Sequence, residues 1–271
     1  MKYLLSITCF LIFSAILSAQ PGAIDTNDGF KPVFGFEKEH HFIWTDNLQN
    51  LYLIHESAIE MYNPKGVSVF KNSQMNLGRI TSVDFSFSLK PMIFFGEMNA
   101  VVVLDNTLSM QGNPVKLNEY GLDWVTAAAK SIDNHYWFFD MQNFELVRTD
   151  ISFNKVRSSG NISQLLGFDV RPNFIAEHNN WLYVNNPETG ILVFDIFGTY
   201  FKQIPIKGLK SFQLTDQFIV YLEDGALRQY NLMTFDTVTI PLPTMEMDRA
   251  RVSKRMLYLS DGKRIRAFQK M

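Results

Sequence analysis

Short apolar runs separated by polar turns fill this chain, and their length and alternation predict strands rather than helices. The stretch "NLYLIHESAIEMYN", residues 50–63, is the clearest unit: an apolar run leads to a polar turn at His55-Glu56-Ser57, and a second run closes on Tyr62-Asn63. The same hairpin returns as "PMIFFGEMNAVVVLD", "HYWFFDMQNFELVRTD", "NWLYVNNPETGILVFD", "QFIVYLEDGALRQYN" and "RMLYLSDGKRIRAFQ". The six copies close on Asn63, Asp105, Asp150, Asp195, Asn231 and Gln269, at intervals of 42, 45, 45, 36 and 38 residues. A further strand precedes each copy, from "HFIWT" to "RARVSK", and each of the first five copies is followed by a fourth, as in "VSVFK" and "DTVTIPL".

A period near 40 with four strands per unit predicts an all-β fold, a six-bladed β-propeller of four-stranded antiparallel blades. The last copy stops just after its third strand, at Met271, and leaves one blade without its outer edge. The segment "KPVFGF", residues 31–36, is a spare strand ahead of the first complete blade. It is predicted to pair with "RIRAFQ" and close the ring, because an open ring would expose a long unpaired edge. Residues 20–271 contain no Pro/Ser/Gly linker or shift of composition, so they read as one domain, with a β-sandwich or two small β domains as the rival organisation. The longest interruption, residues 158–172, has room for one helical turn at residues 162–166.

The first nineteen residues change the picture of where this domain works. One early cation, Lys2, precedes an apolar run from Tyr3 to Leu17 and the small pair Ser18-Ala19, the pattern of a secretory signal peptide cut after Ala19. The apolar part is too short to span a membrane. Cys9, the only cysteine, would leave with the leader, and its early position lacks the lipoprotein pattern. A periplasmic or secreted domain free of disulfides is expected. With 46% hydrophobic residues the core is ample, and 14% aromatics favour pleated surfaces. The charge of −2, or −3 once Lys2 is removed, gives no electrostatic case for nucleic acid or an anionic membrane.

The stretch "DNLQNLYLIHESAIEMYNPKG", residues 46–66, resembles the blades of NHL-type and related six-bladed propellers, in which a strand pair leads to a polar turn ending in Pro-x-Gly. The likeness covers the mature chain but its motifs are loose, and no Gly-His and Trp-Asp pair of the WD40 kind occurs. It implies a fold and carries no catalytic residue across. An Ala-Gln leader junction on a small, cysteine-free, aromatic-rich propeller also looks like exported proteins of Bacteroidota, some of which sit under outer-membrane transport or secretion pores, as the plug subunit of the type IX translocon does.

In a propeller, the turns between second and third strands open on the same face as the connections between blades, and functional residues gather there. Those turns contain Glu56, Glu97, Asp140, Glu188, Glu223 with Asp224, and Asp261. Such a ring of acids would attract a cation or a basic peptide segment. The competing reading is that Asp, Asn and Gly are what tight turns require, which suits Asp224-Gly225 and Asp261-Gly262. Arg79, Arg171, Lys207, Arg249 and Arg251 on the connections would offset part of the acidity.

No metal site or cofactor is expected. His40 and His41 are adjacent on a strand and point to opposite faces, while His55, His135 and His178 fall in separate blades. The likeness to six-bladed lactonases would instead gather Glu56, Asp140, Asn185 and Glu223 around a channel metal. No Gly-x-Ser-x-Gly elbow or phosphate-binding Gly-rich loop is present. Trp44, Trp124, Trp137 and Trp181 are expected to fill the contacts between blades, or else to join Phe168, Met245 and Met247 in an apolar docking patch.

The sequence thus predicts a non-enzymatic, exported propeller that binds a protein of the cell envelope, such as an outer-membrane pore, through its loop face. Residues 158–172, with Phe168 and Arg171, are the expected contact loop. A channel-metal hydrolase and a sugar or peptide binder are the alternatives.

Overall fold

A computed structural model describes residues 29–271 except 245 and 246. The expected leader and its expected cleavage point, Cys9 and Met245 lie outside the described residues.

The strands form six four-stranded sheets. Blade one comprises Phe42–Thr45, Leu51–His55, Ala58–Tyr62 and Ser68–Ser73. Blade two comprises Ser82–Asp84, Met92–Phe95, Ala100–Val103 and Val115–Lys116. Blade three comprises Val125–Lys130, Tyr136–Asp140, Glu145–Thr149 and Lys155–Ser158. Blade four comprises Phe174–His178, Trp181–Asn186, Gly190–Asp195 and Tyr200–Ile204. Blade five comprises Gln213–Leu214, Phe218–Glu223, Ala226–Asn231 and Thr237–Ile240. Blade six takes Arg249–Ser253, Met256–Ser260 and Arg264–Lys270 from the end of the chain. Its outer strand is Phe30–Glu37, which pairs antiparallel with Arg264–Lys270 and places Pro32 opposite Phe268.

Buried side chains fall into six clusters, one at each junction between neighbouring blades. This explains why the second strands are apolar without interruption. Tyr52 and Ile54 pack toward blade two, while the alternate residues Leu51 and Leu53 pack toward blade six. A sheet covered on both faces has no polar side to present.

The polar residue that closes each repeat has a structural task. Asn63 Oδ1 accepts the backbone N–H groups of Lys65 at 3.0 Å and Val67 at 3.1 Å, and so holds the turn from third to fourth strand. Asp105 does the same for Thr107 and Ser109, Asp150 for Ser152 and Asn154, and Asp195 for Phe197 and Thr199. Asn231 accepts from Met233 and Thr234. These are Asx turns, which let a short side chain replace a missing backbone acceptor. Gln269 has no such turn to hold, because the fourth strand of its blade arrives from the other end of the chain.

Three residues beyond the Asx position, the backbone turns left-handed, at φ of 78° for Gly66, 62° for Leu108, 66° for Phe153 and 84° for Gly198. Gly66 is fixed by packing as well, since a Cβ there would lie 2.7 Å from Cγ of Phe34 in the closing strand. Phe34 stacks with Phe36, whose ring lies 4.7 Å from that of Tyr62 in blade one.

Polar ties complete the seam between blades six and one. Arg249 Nε donates to the His41 carbonyl at 2.7 Å, Arg251 Nε to Ile43 at 3.2 Å, and Ser253 Oγ to Asp46 at 2.8 Å. Alternate residues of one strand share a face, so a single register sets all three. Between blades five and six, the Gln213 amide donates to the Val252 carbonyl and accepts its N–H, imitating one rung of a strand pair.

Candidate binding face and channel mouth

The first strands surround a central channel, and at its loop-face end lies a cavity of about 440 Å³. Blade five shapes it. Its first strand has just two residues, Gln213–Leu214, so Val220, Tyr221 and Leu222 of the second strand become part of the wall. Trp44, Phe174 and Phe212 supply further apolar wall, and Lys210, Arg249 and Arg251 supply cations.

Arg251 dominates this site electrostatically. It is buried, with 7% exposure, and its guanidinium lies 4.5 Å from the Trp44 ring centroid. Besides Ile43, its donors reach the Phe212 carbonyl at 3.2 Å and Ser211 Oγ at 3.5 Å. It makes no ion pair among the described residues, and burial pushes its pKa down to about 10, which leaves it charged at neutral pH. Arg249 differs, being paired with Asp248 at 2.5 Å. The sequence placed both arginines on the rim and offered one clue to their role: their i, i+2 spacing in "RARVSK" puts them on the same side of a strand.

The seven predicted acids lie around the loop face but none lines the cavity. Glu56 accepts from His41 Nε2 at 2.6 Å, and this hydrogen bond holds its carboxyl below the usual range. The His41 ring also stacks on His55, with centroids 4.9 Å apart. Asp140 is buried and closes its own turn, accepting from Gln142 N at 2.9 Å and Asn143 Nδ2 at 2.7 Å. Glu188 and Asp224 are exposed, and Glu97 lies against Gly78. Glu223 faces Arg228 at 3.4 Å. Burial tends to raise the Asp261 carboxyl, but the N–H groups of Arg264 and Lys263 and the Arg264 guanidinium outweigh it and bring the pKa down to about 2. Asn185, the further residue of the lactonase-like set, is buried and donates to Asn173 Oδ1 and the Leu209 carbonyl. No group of three or more His, Cys, Asp or Glu among the described residues converges as metal ligands would.

Residues 158–172 form a fixed part of the fold rather than an appendage. Its helix, Ile162–Leu166, begins at Asn161, whose Oδ1 accepts Gln164 N at 2.8 Å, and Ile162 and Val170 are fully buried between blades three and four. Phe168 is half-buried against the same core. Arg171 is exposed and pairs with Asp169 at 3.3 Å. Leu165 points out, 61% exposed.

Of the tryptophans, Trp137 is fully buried and Trp44 and Trp181 half-buried, whereas Trp124 is 57% exposed. The expectation of core packing fails at Trp124 because the strand begins one residue later, leaving Trp124 on the connection. Met247 lies in the core between blades five and six. Hydrogen bonds hold the connection that carries Trp124 and, separately, the one that carries Leu165. Asn99, next to the 47% exposed Met98, bonds the Leu122 carbonyl and Val125 N. Met141 N donates to the Trp124 carbonyl, and Ile162 N to Phe144, which leads on to Leu165.

No family model and no curated protein matches the chain. Solved structures do. The Pan2 WD40 domain of Neurospora crassa superposes with a TM-score of 0.65 at 9% identity, over 92% of this chain and 98% of that one. Virginiamycin B lyase from Staphylococcus aureus gives a TM-score of 0.59 at 10% identity, over 89% of this chain and 100% of that one. The shared property is the propeller fold. PorZ, a type-IX secretion component of Porphyromonas gingivalis, overlaps at a TM-score of 0.48 and 8% identity, over 90% of this chain and 38% of that one, which is too slight to carry weight. The likenesses include an enzyme and a WD40 domain, so they do not choose between catalysis and binding.

Proposed function

We propose that the chain is an exported, non-catalytic β-propeller that serves as a protein-binding or scaffold subunit of a cell-envelope complex, docking its partner on the loop face. Trp124 carries this reading. An indole 57% exposed on a connection whose carbonyl accepts Met141 N is the kind of anchor that dominates protein interfaces. Exposed Met98 and Leu165 stand on the turn and connection to either side along the same loop face, and an exposed indole is the least expected of the three on a free surface. Export rests on the leader-like first nineteen residues. Among the described residues no helix is long and apolar enough to cross a membrane. Placement beneath a secretion pore rests only on the sequence resemblance noted above.

The test is a photo-crosslinking amino acid incorporated in living cells at position 124 or 165, with position 201 on the outer strand of blade four as the control. The reading predicts a discrete crosslink to an envelope protein from the loop-face positions, lost when Met98 is replaced by Asp while the melting transition is unchanged. Crosslinks arising only from position 201, or none at all from the loop face, would refute it.

A further inference from the structure

The channel-mouth cavity contains a charge without a counter-charge. Arg251 is buried and unpaired with any carboxylate among the described residues, although burying a cation without an anion is costly. Its guanidinium has five N–H donors. Three are spent on Ile43, Phe212 and Ser211, so two remain. The guanidinium plane is held in place by the Trp44 ring at 4.5 Å and by the backbone of blades one and five, so the remaining donors are set without any loss of side-chain freedom on binding. Lys210 at the mouth makes no ion pair among the described residues, and the Arg249–Asp248 pair is neutral as a unit. The cavity is therefore a cationic pocket, while much of its wall is apolar.

We propose that this cavity binds a small organic carboxylate with an apolar or aromatic body, its head group taken by Arg251 and its body lodged against Trp44, Phe174, Phe212 and Tyr221. A guanidinium with an N–H to spare on each terminal nitrogen is suited to the charged oxygens of a carboxylate. The volume of about 440 Å³ lies in the range of small-molecule sites, and it exceeds by about threefold a cavity that holds benzene. Lys210 adds long-range attraction at the entrance. The inference is independent of protein docking, because it concerns the channel and not the connection that carries Trp124.

The test is titration of the purified chain with a series of ω-phenylalkanoates, from phenylacetate to 5-phenylpentanoate, each beside its neutral amide. Binding is followed by calorimetry and by the Arg251 Nε–H resonance. At least one carboxylate is expected to saturate the site and to bind about tenfold or more tighter than its amide, with the Nε–H resonance shifting on binding. Arg251→Lys, which keeps the charge, is expected to weaken binding while retaining a preference for the acid. Lys210→Gln, at an exposed position outside the core, is expected to weaken the acid alone and to fold normally. The proposal is overturned if no member of the series saturates below about 10 mM. It is equally overturned if acid and amide bind alike, if Arg251→Lys binds the acid as tightly as the unaltered chain, or if Lys210→Gln leaves the affinity for the acid unchanged.

Discussion

Pro32 lies directly opposite Phe268, so two residues 236 positions apart in sequence are neighbours in one sheet. Proline cannot donate to a strand ladder and is tolerated at a sheet edge, where Pro32 sits, and the pairing shifts register between Pro32 and Phe34. Phe268 is fully buried, in the same cluster as Phe30 of the closing strand. One strand thus gives the last blade its outer edge and joins it to blade one through Phe34, Phe36 and Tyr62.

The turn residues make a first prediction. Asn63→Ala removes the acceptor for two backbone N–H groups and should cost about 1 kcal/mol. Gln269→Ala, at the corresponding place in the last repeat, should be nearly neutral, because no turn follows it. Urea midpoints of the two variants check this, and equal losses would show that the closing polar residue has another task.

Acid should loosen the blade-six turn. The Asp261 carboxyl has a pKa of about 2 in the folded chain against an ordinary value of 3.8. Because the folded value is the lower one, its stabilising contribution is complete above pH 3.8 and is lost as the pH falls toward 2. Stability measured by urea from pH 5 to 2 should decline less steeply in Asp261→Asn than in the unaltered chain. Parallel curves would mean that the carboxylate is not held by its turn.

Left-handed backbone should trade against burial. Leu108 and Phe235 both have φ above 60°, but Leu108 is 1% exposed and Phe235 58%. Leu108→Gly should cost about 3 kcal/mol, since the lost core contacts exceed the relief of strain. Phe235→Gly should stay within about 0.5 kcal/mol of the parent, because strain relief offsets the added chain entropy. Melting of the two variants separates these terms.

The scaffold was legible in the sequence because each blade repeats one local code: an apolar second strand covered on both faces, then an Asn or Asp that builds the next turn. Even the closing strand could be read, as the one element missing at one end and spare at the other. The helix at residues 162–166 was visible for the same local reason. The binding features were hidden because they depend on contacts between blades. Nothing in "RARVSK" tells that Arg251 ends beneath Trp44, 207 residues earlier in the chain, or that the second strand of blade five, beside a two-residue first strand, lines the cavity. Trp124 was misjudged through a strand edge shifted by one residue. The carboxylates in the turns were visible, but a turn acid and a rim acid have the same sequence signature, and the pairing of Glu56 with His41 is settled only by the fold.

Ring closure is tested most directly by a single crosslink. Lys31 and Gln269 are paired across the closing strand and both are exposed, so cysteines there would lie within disulfide reach, with Cys9 replaced by Ser to leave no other thiol. Mild oxidation of folded Lys31→Cys/Gln269→Cys should give a near-complete intramolecular disulfide, seen as faster migration without reductant and a raised melting temperature. A double variant that folds cooperatively yet keeps both thiols free would contradict the closed six-bladed ring.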